Sequence, residues 1–204
     1  MTGARLRPGL LLLLSTAILL GGCTLRRPEA MPGVDWAQRR ERLLALDTWQ
    51  ARGRIAVKAQ SGGGQGNLEW QQQGEQARIR VRGPFGAGAY EIRWDPQTLT
   101  VISRNGEFSR DYAGADAAEQ FLAEQLGWSF PAASTRYWLL GVPDPAFPAQ
   151  ETRAPDGELV ALDQNGWAVT YERYTDQRTL PMPAKITLQN SRARVRLVID
   201  RWIF

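Results

Sequence analysis

Groups able to do covalent or acid-base chemistry are scarce in this chain of 204 residues. It has no histidine and one cysteine, Cys23, which removes the usual base near neutral pH, most transition-metal sites and any internal disulfide. Carboxylates remain, but Glu69, Glu91, Asp95, Glu107, Asp111 and Asp200 are scattered, and no pair has a spacing that marks it for work across a glycosidic bond. There is no Gly-x-Ser-x-Gly elbow. The run SGGGQG at 61–66 lacks the Gly-Lys-Ser/Thr ending of a phosphate loop and reads as a flexible hairpin loop. Neither an enzyme, a cofactor nor a metal site is expected.

Cys23 lies where its thiol would be spent on lipid. Arg5 and Arg7 precede the apolar run LLLLLSTAILL at 10–20, and LGGC ends the segment, the order of a secretory signal. The run is too short to cross a hydrocarbon core of about 30 Å, which takes roughly 20 helical residues. LGGC is similar to the bacterial lipobox, whose cysteine is diacylated on sulfur, becomes the first residue after cleavage and is then acylated on its amine. Residues 1–22 are therefore expected to be removed, and 23–34 to form a lipidated N-terminus and tether. Three acyl chains of the palmitate type, at about 0.8 kcal/mol per buried methylene, hold a protein on a membrane without spanning it. Thr24 stands where lipoproteins of the enteric type carry an inner-membrane retention Asp, which points to the outer membrane. Cleavage leaves 23 basic and 21 acidic side chains, a formal +2, so no footprint for nucleic acid remains.

Residues 35–204 read as a single domain. Asp35 with Gln38 forms a capping box, and Trp36, Arg39, Arg40, Leu43, Leu44 and Asp47 follow at helical spacing over 36–47. From Gly53 the period changes to two: Ile55, Val57 and Ala59; Leu68 and Trp70; Ile79 and Val81; Tyr90, Ile92 and Trp94; Leu99 and Val101; then Phe108 and Tyr112. These are half-buried antiparallel strands. Asp116 with Glu119 opens a second helix stopped by Gly127, and Ser134 opens a shorter one closed by Gly141 and Pro143. Strands resume over 151–163, 166–173, 184–189 and 192–200, the last with Val195, Leu197 and Ile199 on one side and Arg194 and Arg196 on the other. Nine or ten strands with about three helices predict an α+β fold whose sheet closes, or nearly closes, into a barrel.

Two features call for a use. Large rigid side chains such as Trp70, Trp138 and Trp167, with Leu139 and Ile92, suit either a core or the lining of an apolar cavity. Phe85 sits in a Gly/Pro turn, flanked by Gly83, Pro84 and Gly86, where a large apolar side chain is hard to bury. Arg78, Arg80, Arg194 and Arg196 alternate along strands and read first as a wet sheet face.

LGGC, WQARGRIAV (49–57), NLEWQQQG (67–74), VRGPFGAGAYEI (81–92), YWLLGVPDP (137–145), GWAVTYERY (166–174), LPMPAKITL (180–188) and the terminal VRLVIDRWIF together resemble the LolB family of outer-membrane lipoprotein receptors. The order RYWLLGVP, LPMPAKI, terminal WI is specific. The resemblance implies a strongly curved, incompletely closed antiparallel β-barrel with a helical lid over an apolar cavity for lipoprotein acyl chains. It implies a monomer that accepts lipoproteins from the periplasmic carrier LolA and inserts them into the inner leaflet of the outer membrane. The family's membrane-delivery loop matches Phe85. A lipocalin-like lipoprotein that retains a small apolar ligand is the alternative.

Overall fold

The computed structural model describes residues 36–60, 62–84, 88–103, 109–126, 130–155, 157–176 and 180–204. Cys23, Phe85, Gly86, Asp35, Phe108 and Gly127 lie outside them. After helix α1 (Trp36–Leu44) come β1 (Thr48–Ala59), β2 (Gly62–Gln73), β3 (Gln76–Arg82), β4 (Ala89–Trp94), β5 (Thr98–Ser103) and β6 (Ser109–Ala113). Helices α2 (Ala117–Leu126) and α3 (Ala132–Leu140) follow, then β7 (Gln150–Arg153), β8 (Leu159–Gln164), β9 (Trp167–Tyr174), β10 (Pro183–Gln189) and β11 (Ala193–Ile203). The eleven strands among the described residues form one antiparallel sheet in the order β6-β5-β4-β3-β2-β1-β11-β10-β9-β8-β7. Each neighbour is a local hairpin except β1 with β11, which joins the two ends of the domain at the middle of the sheet. The edges β6 and β7 are joined in sequence by α2 and α3, so this connection must run across a face of the sheet.

Three sequence expectations need correction. Residues 151–163 are two strands, because the chain turns back around Pro155 and Gly157, with Ala154 N donating to Glu158 O at 2.8 Å and Gly157 in the left-handed region. Among the described residues this raises the strand count to eleven. The glycines of SGGGQG extend β2, pairing in register with Ile55–Ala59, since glycine carries the same backbone donor and acceptor as any other residue. Ser134 does not open its helix: α3 starts at Ala132 after Pro131, and the Ser134 hydroxyl donates instead to Asp144 Oδ2 at 2.7 Å. Gly141 ends α3 as expected, in the left-handed conformation with its N–H on Trp138 O.

Alternation along the strands builds the core. Direct cross-strand partners share a face, and the row Leu162, Val169, Leu188, Val195, Val57 runs across five strands on the inner side. Arg194 and Arg196 point outward, as the pattern requires. A bulge interrupts this period. Gly53 pairs with Ile199 but Arg52 pairs with Arg201, so Asp200 is the extra residue and Trp202, not Arg201, turns inward. Trp202 packs on Trp49 with centroids 5.5 Å apart, and its indole N–H donates to Pro183 O at 2.9 Å.

The sheet is strongly curved. On α3, Arg136 donates to Gly74 O in the β2–β3 turn at 3.1 Å, and Trp138 donates to Gln164 Oε1 at the end of β8 at 2.8 Å. These strands stand five places apart, about 24 Å in a flat sheet at roughly 4.8 Å per strand. Side chains two residues apart on a short helix reach both because the sheet wraps around them. The result is the open, curved barrel covered by helices that the sequence led us to expect.

A buried tyrosine, Tyr171, and a half-buried one, Tyr174, make the fold alkali-sensitive. Tyr171 donates to Trp138 O and Tyr174 to Leu159 O. Burial raises both hydroxyls well above the ordinary tyrosine value, foremost by desolvation. A raised native value means that the unfolded chain loses its proton first, so their stability is complete below the unfolded value of about 10 and is lost above it. The expected loss is about 2.7 kcal/mol per pH unit for the pair. Urea unfolding between about pH 9 and pH 11 checks this; tyrosinate absorbance from these two groups should appear only with unfolding, and a constant unfolding midpoint would contradict it.

Candidate functional site

The inner side of the sheet is packed unequally. A larger cluster joins α1, α3, β1 to β3 and β8 to β11, with Leu43, Trp49, Trp138, Leu159, Met182 and Ile186 fully buried. A smaller one holds Leu99 and Val101 of β5 under Ala117, Ala118 and Phe121 of α2. Packed against these clusters is an apolar seam of half-buried side chains: Ile55 and Val57 on β1 and Ile79 and Val81 on β3 border the larger one, Ile92 on β4 borders the smaller, and Trp94 on β4 touches both. Register sets this wall: Ile79 stands opposite Ile92, Ile92 opposite Val101, and Val81 opposite Tyr90. Tyr90 leaves 46% of its surface exposed. A domain built only for stability gains by closing such a seam, at about 25 cal/mol per Å² of apolar surface.

The opposite face is charged and internally paired. Arg80 Nε donates to Glu91 Oε2 at 2.8 Å and lies 3.8 Å from Glu69, Arg93 meets Glu91 at 2.7 Å, and Arg52 meets Glu69 at 3.1 Å. The hydrogen bond from Arg80, joined by that from Arg93, holds the Glu91 carboxyl below the usual range; the same bond raises Arg80. Asp95 is held low mainly by the Thr98 hydroxyl and the Gln97 N–H, in the β4–β5 turn. Asp111 accepts from Thr100, and Asp200 meets Arg54 at 3.4 Å. Among the described residues, the candidate carboxylates thus serve as ion-pair and turn partners. Depressions of about 510 and 330 Å³ on this face are lined by Arg52, Glu69, Arg80, Arg82 and Glu91, a poor environment for hydrocarbon.

The cavity candidates divide between core and seam. Trp138 and Leu139 of α3 are 0% and 1% exposed, inside the large cluster. Trp70 is buried on β2, stacked on Trp49 at 6.1 Å and donating to Gln72 Oε1. Trp167 opens β9 edge-on to Phe130 at 5.1 Å. Ile92 is half-buried in the seam. Ile55, Val57, Ile79, Val81 and Trp94, the remainder of the seam, alternate like every other strand residue here; nothing in a period of two tells a filled inner face from an open one. Gly83 donates to Gly88 O at 3.0 Å and closes the β3–β4 hairpin, with Pro84 exposed beside it.

Comparison with known proteins agrees with this architecture. The chain is 35% identical to the outer-membrane lipoprotein LolB of Nitrosococcus oceani, over 94% of this chain and 95% of that one. It is 33% identical to the outer-membrane lipoprotein LolB of Pseudomonas aeruginosa, over 97% of both. Its fold is similar to that of a LolA superfamily protein from Nitrosomonas europaea, with a TM-score of 0.52 at 9% identity, covering 84% of this chain and 93% of the other. The family profile described as outer membrane lipoprotein LolB matches residues 47–202, from the residue before β1 to the inward-turned Trp202. With both the curved sheet and its central β1–β11 seam inside that match, the chain belongs to the outer membrane lipoprotein LolB family.

Proposed function

We propose that this protein is an outer-membrane receptor that takes lipoproteins from a soluble LolA-type carrier and inserts them into the inner leaflet. The observation that carries the reading is the half-open apolar seam beside a fully packed core, in a chain of this family. Residues 1–22 are the removed signal, 23–34 the tether and 35–204 the working domain. Cys23 carries the anchoring lipid, and one copy suffices because the seam lies within one chain.

No bond need be made or broken. Moving several acyl chains through water costs on the order of tens of kcal/mol, so carrier and receptor must meet with their openings together. Direction needs little: an advantage of about 1.4 kcal/mol in this seam gives a tenfold preference. The bilayer then accepts the chains completely. Phe85, beside Gly83, Pro84 and Gly86, is assigned to dip into the membrane boundary and bias the docked pose by about 1.5 to 3 kcal/mol.

The test is a two-step transfer with a Cys23→Ala form lacking residues 1–22: loaded carrier first, then liposomes. Phe85→Glu should accept cargo as the parent does and deliver it about tenfold more slowly. Equal delivery by both forms would remove Phe85 from the mechanism. Failure of both to accept cargo would overturn the receptor reading in favour of a ligand-retaining lipoprotein.

A further inference from the structure

The pairing of charges on the outer face stops at one end of the sheet. β1 and β3 both run antiparallel to β2, so the end of β1, the end of β3 and the start of β11 lie together. There Lys58 stands directly opposite Arg194, Arg196 follows one outward position along β11, Arg192 sits in the β10–β11 turn, and Arg82 closes β3. All five are exposed. Among the described residues, none of them makes an ion pair. Arg194 donates instead to the neutral Gln189 Oε1 at 2.6 Å, and Glu172, the acid that Arg196 influences, is held by Lys185 and Thr187. Between Lys58 and Arg82, β2 presents only Gly63, Gln65 and Asn67 on this face.

Stability does not account for this cluster, because like charges directly opposite on neighbouring strands weaken a sheet. Further along the same face Arg52, Arg80 and Arg93 are answered by Glu69 and Glu91. The unanswered cations gather beside the hairpin that Gly83 and Gly88 close, while the β2–β3 and β4–β5 turns at the far end carry Glu75 and Asp95. An anionic plane therefore draws the hairpin end in first. From β11 to β3 the cations spread over three strand spacings, about 14 Å at roughly 4.8 Å each. That breadth suits a sheet of phosphodiester headgroups, which meets every exposed cation at once. Arg82 also borders the depressions of about 510 and 330 Å³, which leave room for a headgroup at its side.

We propose that Lys58, Arg82, Arg192, Arg194 and Arg196 form a docking surface for the anionic phospholipid headgroups of a bilayer, which turns the β3–β4 hairpin toward the membrane. This deepens the receptor reading above and rests on it for the hairpin's task. Each cation near the surface should contribute about fivefold to binding.

The test measures binding of the Cys23→Ala form lacking residues 1–22, whose domain is one compact unit over Gly33–Phe204, to phosphatidylcholine vesicles with and without phosphatidylglycerol. Phosphatidylglycerol should tighten binding by about a hundredfold or more, and high salt should erase the gain. Lys58→Gln, Arg194→Gln and Arg196→Gln combined should lose about a hundredfold. Their melting temperature should not fall, since a like-charge contact has been removed. The same change at the paired Arg52, Arg54 and Arg93 should cost less than about tenfold. Equal binding to the two kinds of vesicle, or equal loss in the two triple variants, overturns the surface. So does a Lys58, Arg194, Arg196 variant that binds vesicles as the parent does but takes less cargo from the carrier, because an acidic protein would then be the partner. Phosphatidylglycerol-dependent binding without any acceptance of cargo keeps the surface and sinks the receptor reading alone.

Discussion

Gly53→Val is expected to remove more than about 4 kcal/mol of stability and leave little folded protein. A Cβ at this position would lie 1.9 Å from Val198 O and 2.9 Å from Ile199 Cα. Both are backbone atoms, so no rotamer change relieves the overlap; β1 and β11 would have to separate. That pairing is the one place where the two ends of the domain meet, and it contains the bulge that turns Trp202 into the core. Losing it releases the contacts of Trp202 with Trp49 and with Pro183 O. Gly53→Ala has the same Cβ and should also be strongly destabilised, whereas Gly74→Ala, with open space around it, should cost only about 1 kcal/mol for its left-handed backbone. Denaturant unfolding followed by tryptophan fluorescence separates the three. A Gly53→Ala midpoint equal to the parent's would contradict the account.

The second large effect is expected at Gln164. Its side chain is buried and fully used: Oε1 accepts from Trp138 Nε1 at 2.8 Å and from Asp144 N at 2.9 Å, while Nε2 donates to Asp144 O and Phe147 O, both at 2.9 Å. Gln164→Leu keeps the volume and removes all four bonds, leaving two buried donors and two carbonyls without this partner. At about 1 to 3 kcal/mol for each stranded group, a loss of at least about 4 kcal/mol follows. Gln164→Glu retains an acceptor but cannot donate to the two carbonyls, and it buries a charge, so it should fare no better. This amide fastens the chain leaving α3 to the end of β8. Its loss should therefore also blur the near-ultraviolet dichroism of Trp138. A Gln164→Leu midpoint within about 1 kcal/mol of the parent would mean that water replaces the network.

Local signals located what is local. The αL stop at Gly141, the start of α2 just after Asp116 and the alternation from Ile55 to Val101 follow from a few neighbouring residues each. Two segments depart from their local pattern for a physical reason: Pro155-Asp156-Gly157 is turn chemistry inside an apparently continuous strand, and the glycine run is loop-like until β1 offers twelve residues to pair with. Ser134 looked like a helix opener because serine favours that position, but a buried Asp144 ten residues later claims its hydroxyl. Trp138 and Ile92 show the same limit at the site. Both lie on apolar faces, yet one is sealed under the sheet and the other lines the seam.

The sequence by itself determined that the domain is a curved antiparallel sheet with helices and that no histidine is present to do chemistry, because residue type and period are properties of the chain alone. Only the tertiary structure decided that β1 pairs with β11, that Trp202 turns inward past a bulge, and that Ile55, Val57, Ile79, Val81 and Ile92 stay half-buried beside a packed core. Those depend on register between strands as far apart as Val57 and Val195. They depend also on curvature, which brings β2 and β8 to one short helix, and neither is written in any window of neighbouring residues.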